Sequence, residues 1–154
     1  MQMEPKDIFN TLQKHLHATD DVELILLKGH LILEQVLNEL LGSHINNVKR
    51  LNSLNLMFAK KLELLIALED GARFIESEID QLKEINRIRN KLAHKLDFDE
   101  YHDDLKAWAC SVVGYTPVTI NRRSTYRNTL IKAFYLLTGI LSGVATGRKE
   151  TKKI

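Results

Sequence analysis

Apolar residues recur at helical spacing along almost the whole chain. Lys6 to Ala18 carries Ile8, Leu12 and Leu16 at a four-residue step, which predicts a short amphipathic helix. Thr19-Asp20-Asp21 follows and can cap a second helix, because acid side chains are favourable at the positive end of the helix dipole. That helix is expected over about Val22 to Leu41, with Ile25, Leu26, Leu33, Val36, Leu37, Leu40 and Leu41 as a wide apolar stripe and Gly42 as its stop. Ser43 to Asn55 holds four Asn and two Ser with sparse aliphatics, and reads as a long loop with room for one helical turn. A third helix is expected over Leu56 to Glu69, ending at Asp70-Gly71. The fourth, Phe74 to Leu96, has the cleanest repeat: Leu82, Ile85, Ile88, Leu92 and Leu96 at steps of three and four. Asp97-Phe98-Asp99 breaks it, and Asp99 is placed to cap a fifth helix over Glu100 to Val113. Gly114 to Asn121, with Pro117, is a connector. Arg122 to Thr146 is apolar nearly all round, so this sixth helix belongs at the centre of the fold or in a subunit interface. The fold class is therefore all-α, a bundle of five or six helices.

Composition agrees with the pattern. The 154 residues include 25 Leu but only seven Gly and two Pro, which excludes a sandwich, a barrel or a disordered tail. The length suits one domain, and no internal repeat is present. The chain divides into an N-terminal helix (1–19), the helical domain (20–146) and a basic tail (147–154). A lone Cys110 excludes an intrachain disulfide and a cysteine-based zinc site, and fits a reducing cytoplasm. The N-terminus lacks a basic-then-apolar leader pattern. The most apolar charge-free stretch, Ala133 to Gly147, is shorter than the roughly 20 residues of a membrane span, so a soluble, cytoplasmic protein is expected. A net charge of +2 does not by itself imply nucleic acid. The charge is uneven, however: Arg122, Arg123 and Arg127 cluster late, and 148–153 is basic.

One string stands apart, Arg89-Asn90-Lys91-Leu92-Ala93-His94 at the end of the fourth helix. Asn90 and His94 are four apart and share a face, with Arg87 nearby. Arg89 and His94 diverge by about 140° on a regular helix. They converge only if the last turn loosens or if the site is composite across a dimer. These residue types suit attack on an RNA phosphodiester by its own 2′-hydroxyl. An imidazole titrating near neutrality moves the proton. A guanidinium grips the phosphate and stabilises developing charge. An Asn fixes the imidazole or the phosphate by hydrogen bonds. No metal or other cofactor is needed, and the sequence offers no convincing metal site.

The string Arg89-Asn90-x-x-x-His94, closing a helix in an all-helical domain of this size, resembles the signature of the HEPN superfamily. Gly29 to Leu37 and Phe58 to Leu65 look like earlier helices of that superfamily, and the order of the pieces is similar to its mannitol operon repressor-like branch. The likeness covers about residues 20 to 145. It implies a homodimer with paired motifs facing a cleft, and a metal-independent endoribonuclease of toxin or defence type. Arg89, Asn90 and His94 would be catalytic, and Arg87 and Lys91 would hold flanking RNA. Its partners would be RNA and an antitoxin or regulatory protein. The alternative it leaves open is a non-enzymatic interaction module or transcriptional regulator.

Blander readings apply elsewhere. His15 and His17 do not share a helix face, which argues against a metal there. Tyr101-His102-Asp103-Asp104 is explained by acids opening a helix. Glu34, one turn after His30, is expected to pair with it; partnering Arg89 is the alternative. Gly139, Gly143 and Gly147 recur every four residues, as in close helix crossings. The basic tail is expected to fray, and Trp108 and the tyrosines to pack between helices.

Overall fold

The computed structural model describes residues 5–68, 75–94 and 100–152. Among them, seven helices and no strand are found: α1 (Pro5–Leu16), α2 (Val22–Gly42), α3 (Val48–Ser53), α4 (Phe58–Leu68), α5 (Glu76–His94), α6 (Tyr101–Val113) and α7 (Arg123–Lys152). The protein is an all-α bundle. Five helices follow the expected spans closely, because in each the apolar stripe alone fixes which face is buried. Ile8, Leu12 and Leu16 of α1 are fully buried, as are Leu82, Ile85 and Ile88 of α5. The breaks expected at Asp70-Gly71 and Asp97-Phe98-Asp99, the Asp99 cap, Phe74 and Leu96 lie outside the described residues.

α7 is the hub. It packs along α2 and α6, and its Leu130, Phe134, Leu137 and Leu141 are sealed from solvent. α2 and α7 run side by side in the same direction. Arg127 near the start of α7 donates to the Thr19 carbonyl (3.0 Å) and pairs with Asp20 (3.1 Å) ahead of α2, while Arg148 meets His44 beyond the other end of α2. Arg127, one of the late basic cluster, is thus a clamp on the α1–α2 turn. α1 lies against both α2 and α7 and shares their core, so the N-terminal helix is not a separate unit. α5 reaches the core through α6, where the Trp108 indole donates to the Gln81 carbonyl (2.8 Å) and stacks near Phe134.

The caps show why the ends fall where they do. The Asp21 carboxylate accepts from the Glu23 and Leu24 amides (3.0 and 3.3 Å), satisfying two orphan donors of α2. Gly42 is the last residue of α2; Ser43, right-handed, follows as the cap and returns its hydroxyl to the Leu40 carbonyl. Gly114 does close α6 in the left-handed region (φ 86°), which a Cβ would strain. In the long polar loop, Asn47 caps the six-residue α3 by accepting from the Arg50 amide.

Three expectations need revision. The glycines of α7 mark no close crossing within the chain: a Cβ at Gly143 or Gly147 would meet nothing, and one at Gly139 only the Phe9 ring at 3.7 Å. The close crossing is at Gly29 instead, where a Cβ would sit 2.5 Å from the buried Phe134 ring. The start of the basic tail does not fray either. α7 continues through Lys152, and Arg148 packs against His44 rather than fraying. Finally, Arg123–Arg148 is long and apolar enough by length and composition to cross a membrane, although Ala133 to Gly147 alone is not. Half of that window is buried in the bundle, as expected of a core helix.

The glycine assignments are testable by thermal or urea unfolding. Gly29→Ala is expected to destabilise the fold by about 1–3 kcal/mol through overpacking. Gly143→Ala is expected to stabilise it by about 0.5–1 kcal/mol, the ordinary helix-interior difference. Reversal of the two signs would contradict the packing described.

Candidate functional site

The site is built on α5, whose two stripes have different chemistry. Ile85, Ile88 and the half-buried Leu92 face the core. Beside them Asn86, Asn90 and His94 descend at a four-residue step, so they share a neighbouring face. α5 stays helical through His94, so its last turn does not loosen. Arg89 is half-exposed, and Asn90 and His94 are exposed. None of the three is sealed inside the bundle. Arg89 Nη1 donates to the Asn90 carboxamide oxygen at 3.3 Å. The regular helix keeps Arg89 and His94 diverging within one chain, so the structure brings Arg89 to Asn90 and not to His94.

Beneath Arg89 lies a polar contact that the sequence does not announce. His30 of α2 is 4% exposed, and its Nε2 sits 3.0 Å from the Asn86 carboxamide oxygen. As a neutral ring it donates there, satisfying a group that burial would otherwise penalise. The Phe58 ring of α4 lies over the imidazole, with centroids 4.4 Å apart. Burial is the main cause that pushes the His30 pKa below its ordinary 6.5; the Asn86 bond opposes it, the nearby Arg89 charge reinforces it, and Glu34 opposes it last. Glu34 does not pair with His30 or Arg89. Its carboxylate accepts from Lys61 Nζ at 2.8 Å, a half-buried ion pair joining α2 to α4. Asn86 and Lys61 are therefore the residues that sequence reasoning missed. The four-residue stripe Asn86-Asn90-His94 is the signal that points to the first. Lys61 required the position of α4.

Arg87 points away from this seam. Its guanidinium binds both Glu84 oxygens, with Nε to Oε2 at 2.9 Å, and reaches Asp104 of α6 at 3.1 Å. Hydrogen bonds donated to Glu84 and then to Asp104 raise the Arg87 pKa, and the Glu84 contact holds its carboxyl below the usual range. Two carboxylates thus already pair with the guanidinium expected to hold flanking RNA. Lys91 is half-exposed on the same helix, and its charge also favours ionised Glu84.

Three of the remaining candidates have structural partners. His102 Nδ1 lies 3.0 Å from the Tyr126 hydroxyl, Asp104 faces Arg87, and His17 sits edge-on to Tyr135. Among the described residues, no three His, Cys, Asp or Glu side chains gather as a metal set. Two open clefts of about 640 and 630 Å³ lie elsewhere. One is between α6 and the 114–121 connector, and the other is between α1 and α7 around His17 and Tyr135. Comparison with known protein families, curated proteins and solved structures finds no match for this chain.

The His30 environment sets a pH dependence. The unfolded chain takes up a proton near pH 6.5 and the folded chain only at lower pH, so the unfolded state binds more protons in between. The stability contributed by neutral His30 is present above 6.5 and declines as pH falls below it, by at most about 1.4 kcal/mol per pH unit. Urea unfolding of wild type and His30→Gln between pH 7.5 and 5.5 is expected to show a shallower loss in the variant. Identical slopes would contradict the burial of a neutral imidazole.

Proposed function

We propose that this protein is a metal-independent endoribonuclease of the HEPN type, a toxin or defence component acting in the cytoplasm as a homodimer. The observation that carries the reading is the accessibility of Arg89, Asn90 and His94 on the last two turns of one helix, with Arg89 docked on Asn90. A guanidinium and an imidazole reaching solvent from one helix end are the two groups that RNA transesterification needs.

The chemistry follows from the groups. His94 takes the proton of the RNA 2′-hydroxyl, whose oxygen attacks the adjacent phosphorus. The bond to the 5′-oxygen breaks, leaving a 2′,3′-cyclic phosphate; the 5′-oxygen takes a proton from water to become a hydroxyl, and the His94 imidazolium returns its proton to solvent. Arg89 binds the non-bridging oxygens and stabilises the extra negative charge of the transition state. Asn90 orients Arg89. Because Arg89 and His94 diverge by about 140° on a regular helix, the site is composite. Two α5 ends meet across the dimer, and the Arg89 of one protomer works with the partner's His94. Lys91 holds flanking backbone, and Arg87 contributes only what Glu84 and Asp104 leave unneutralised.

One observation favours a second reading. That neutralisation of Arg87 lowers the positive potential beside the motif, as suits a non-enzymatic HEPN-like regulator, similar to the mannitol operon repressor-like proteins, that binds a protein partner.

The test is cleavage of single-stranded RNA in the presence of chelator. Wild type is expected to cut, and Arg89→Ala and His94→Ala are expected to lose at least about 100-fold in rate. Mixing the two inactive variants is expected to restore part of the activity, because a heterodimer rebuilds one intact composite site. Equal activity in all three proteins, or none in wild type, would remove the nuclease reading and leave the regulator.

A further inference from the structure

Two neighbouring residues of α2 face different helices. Gly29 lies against Phe134 of α7, and His30, about 100° further round, faces α5. α2 is thereby fixed in rotation, with its Gly29 face too close to α7 to accept a side chain. On α5, Asn86 receives His30, and one turn on lie Arg89 and Asn90, already hydrogen bonded to each other. Phe58 covers the imidazole from α4, and the Lys61–Glu34 pair closes the seam on that side. A buried polar pair of this kind adds little net stability over an apolar pair of the same shape. What it adds is uniqueness: rotating α5 by one residue leaves the buried imidazole and the half-buried carboxamide without each other.

We propose that His30 and Asn86 are a positioning pair, which locks the rotation of α5 and thereby holds the Arg89 guanidinium at the edge where phosphate is bound. The proposal rests on the reading of Arg89 as the phosphate-binding group, but its structural half does not depend on catalysis. Neither residue touches RNA. Each acts through Arg89: a small error in the guanidinium's placement misaligns it with the transition state, and misplacement of about 1 Å costs on the order of 100-fold in rate.

The experiment uses the full chain and two readouts. The first is the order of the Arg89 Nε–H bond, from ¹⁵N relaxation. The second is the division of any RNA-cleavage defect between kcat and KM. The principal variant, His30→Leu/Asn86→Leu, removes both polar groups and orphans neither. His30→Gln keeps a donor near the Nε2 position and serves as the rescue. Asn86→Ser, too short to reach His30, takes the place of the double variant if that fails to fold.

Wild type and His30→Gln are expected to show an ordered Arg89 side chain. The double variant is expected to keep its Tm within a few degrees, yet its Arg89 order parameter should fall below about 0.6. Its kcat is expected to drop about 10- to 100-fold, with a smaller change in KM. An Arg89 that stays ordered in the double variant, or in Asn86→Ser where that is the folded one, overturns the proposal. So does a lowered Tm with Arg89 order and kcat intact, because that is a merely structural role. If wild type does not cleave RNA, the nuclease reading fails by itself, and Arg89 order still decides whether the pair positions it.

Discussion

The hydrogen bond between His30 and Asn86 is the contact on which the candidate site depends. Most of the bundle is held by interchangeable aliphatic packing, which tolerates small rotations of one helix against another. A buried donor and its half-buried acceptor do not tolerate them, because the hydrogen bond is directional. Gly29 sharpens the constraint from the other side by bringing α2 against Phe134. The result is a contact path from the hub helix α7 through α2 to α5, beside the one through α6. At the end of that path stand the three side chains that give the protein its chemical character.

The electrostatics are local rather than global. With a net charge of +2, the chain has no broad field to gather RNA. Arg87 is compensated by Glu84 and Asp104, and Arg127 is committed to the turn before α2. What remains at this end of α5 is Arg89, docked on Asn90, with the half-exposed Lys91. A single guanidinium supports one specific phosphate contact better than a long track of backbone contacts, and a composite site offers two of them on facing protomers. This is why the proposed chemistry and the proposed dimer stand together: the α5 helix is regular to its end, and one copy does not present both groups to one phosphate.

Much of the fold was legible because helical periodicity survives in sequence. The four-residue step of Ile8, Leu12 and Leu16, and the Ile85-Ile88-Leu92 stripe, each state which face is buried, whatever the partner helix. Tertiary choices were not legible. Glu34 follows His30 by one turn, so the local rule paired them, yet α4 brings Lys61 to Glu34 and α5 brings Asn86 to His30. The spacing of Gly139, Gly143 and Gly147 suggested a crossing because repetition is visible in sequence. The crossing that exists uses the unrepeated Gly29, and only the position of Phe134 reveals it. The string Arg89 to His94 stood out by residue type, and its exposure followed from its place beside the core stripe. The buried pair that supports it joins positions 56 residues apart, and no local pattern encodes such a contact.

The central claim is that the end of α5 grips a phosphodiester, and it is tested most directly by ¹⁵N NMR titration with a single-stranded DNA oligonucleotide. That ligand carries the phosphates but lacks the 2′-hydroxyl, so it binds without being cut. The account predicts shifts that saturate at Arg89, Asn90 and His94, together with an affinity that weakens as salt is raised. Saturating shifts confined to the α6 cleft or the α1–α7 cleft, with the end of α5 silent, would contradict it.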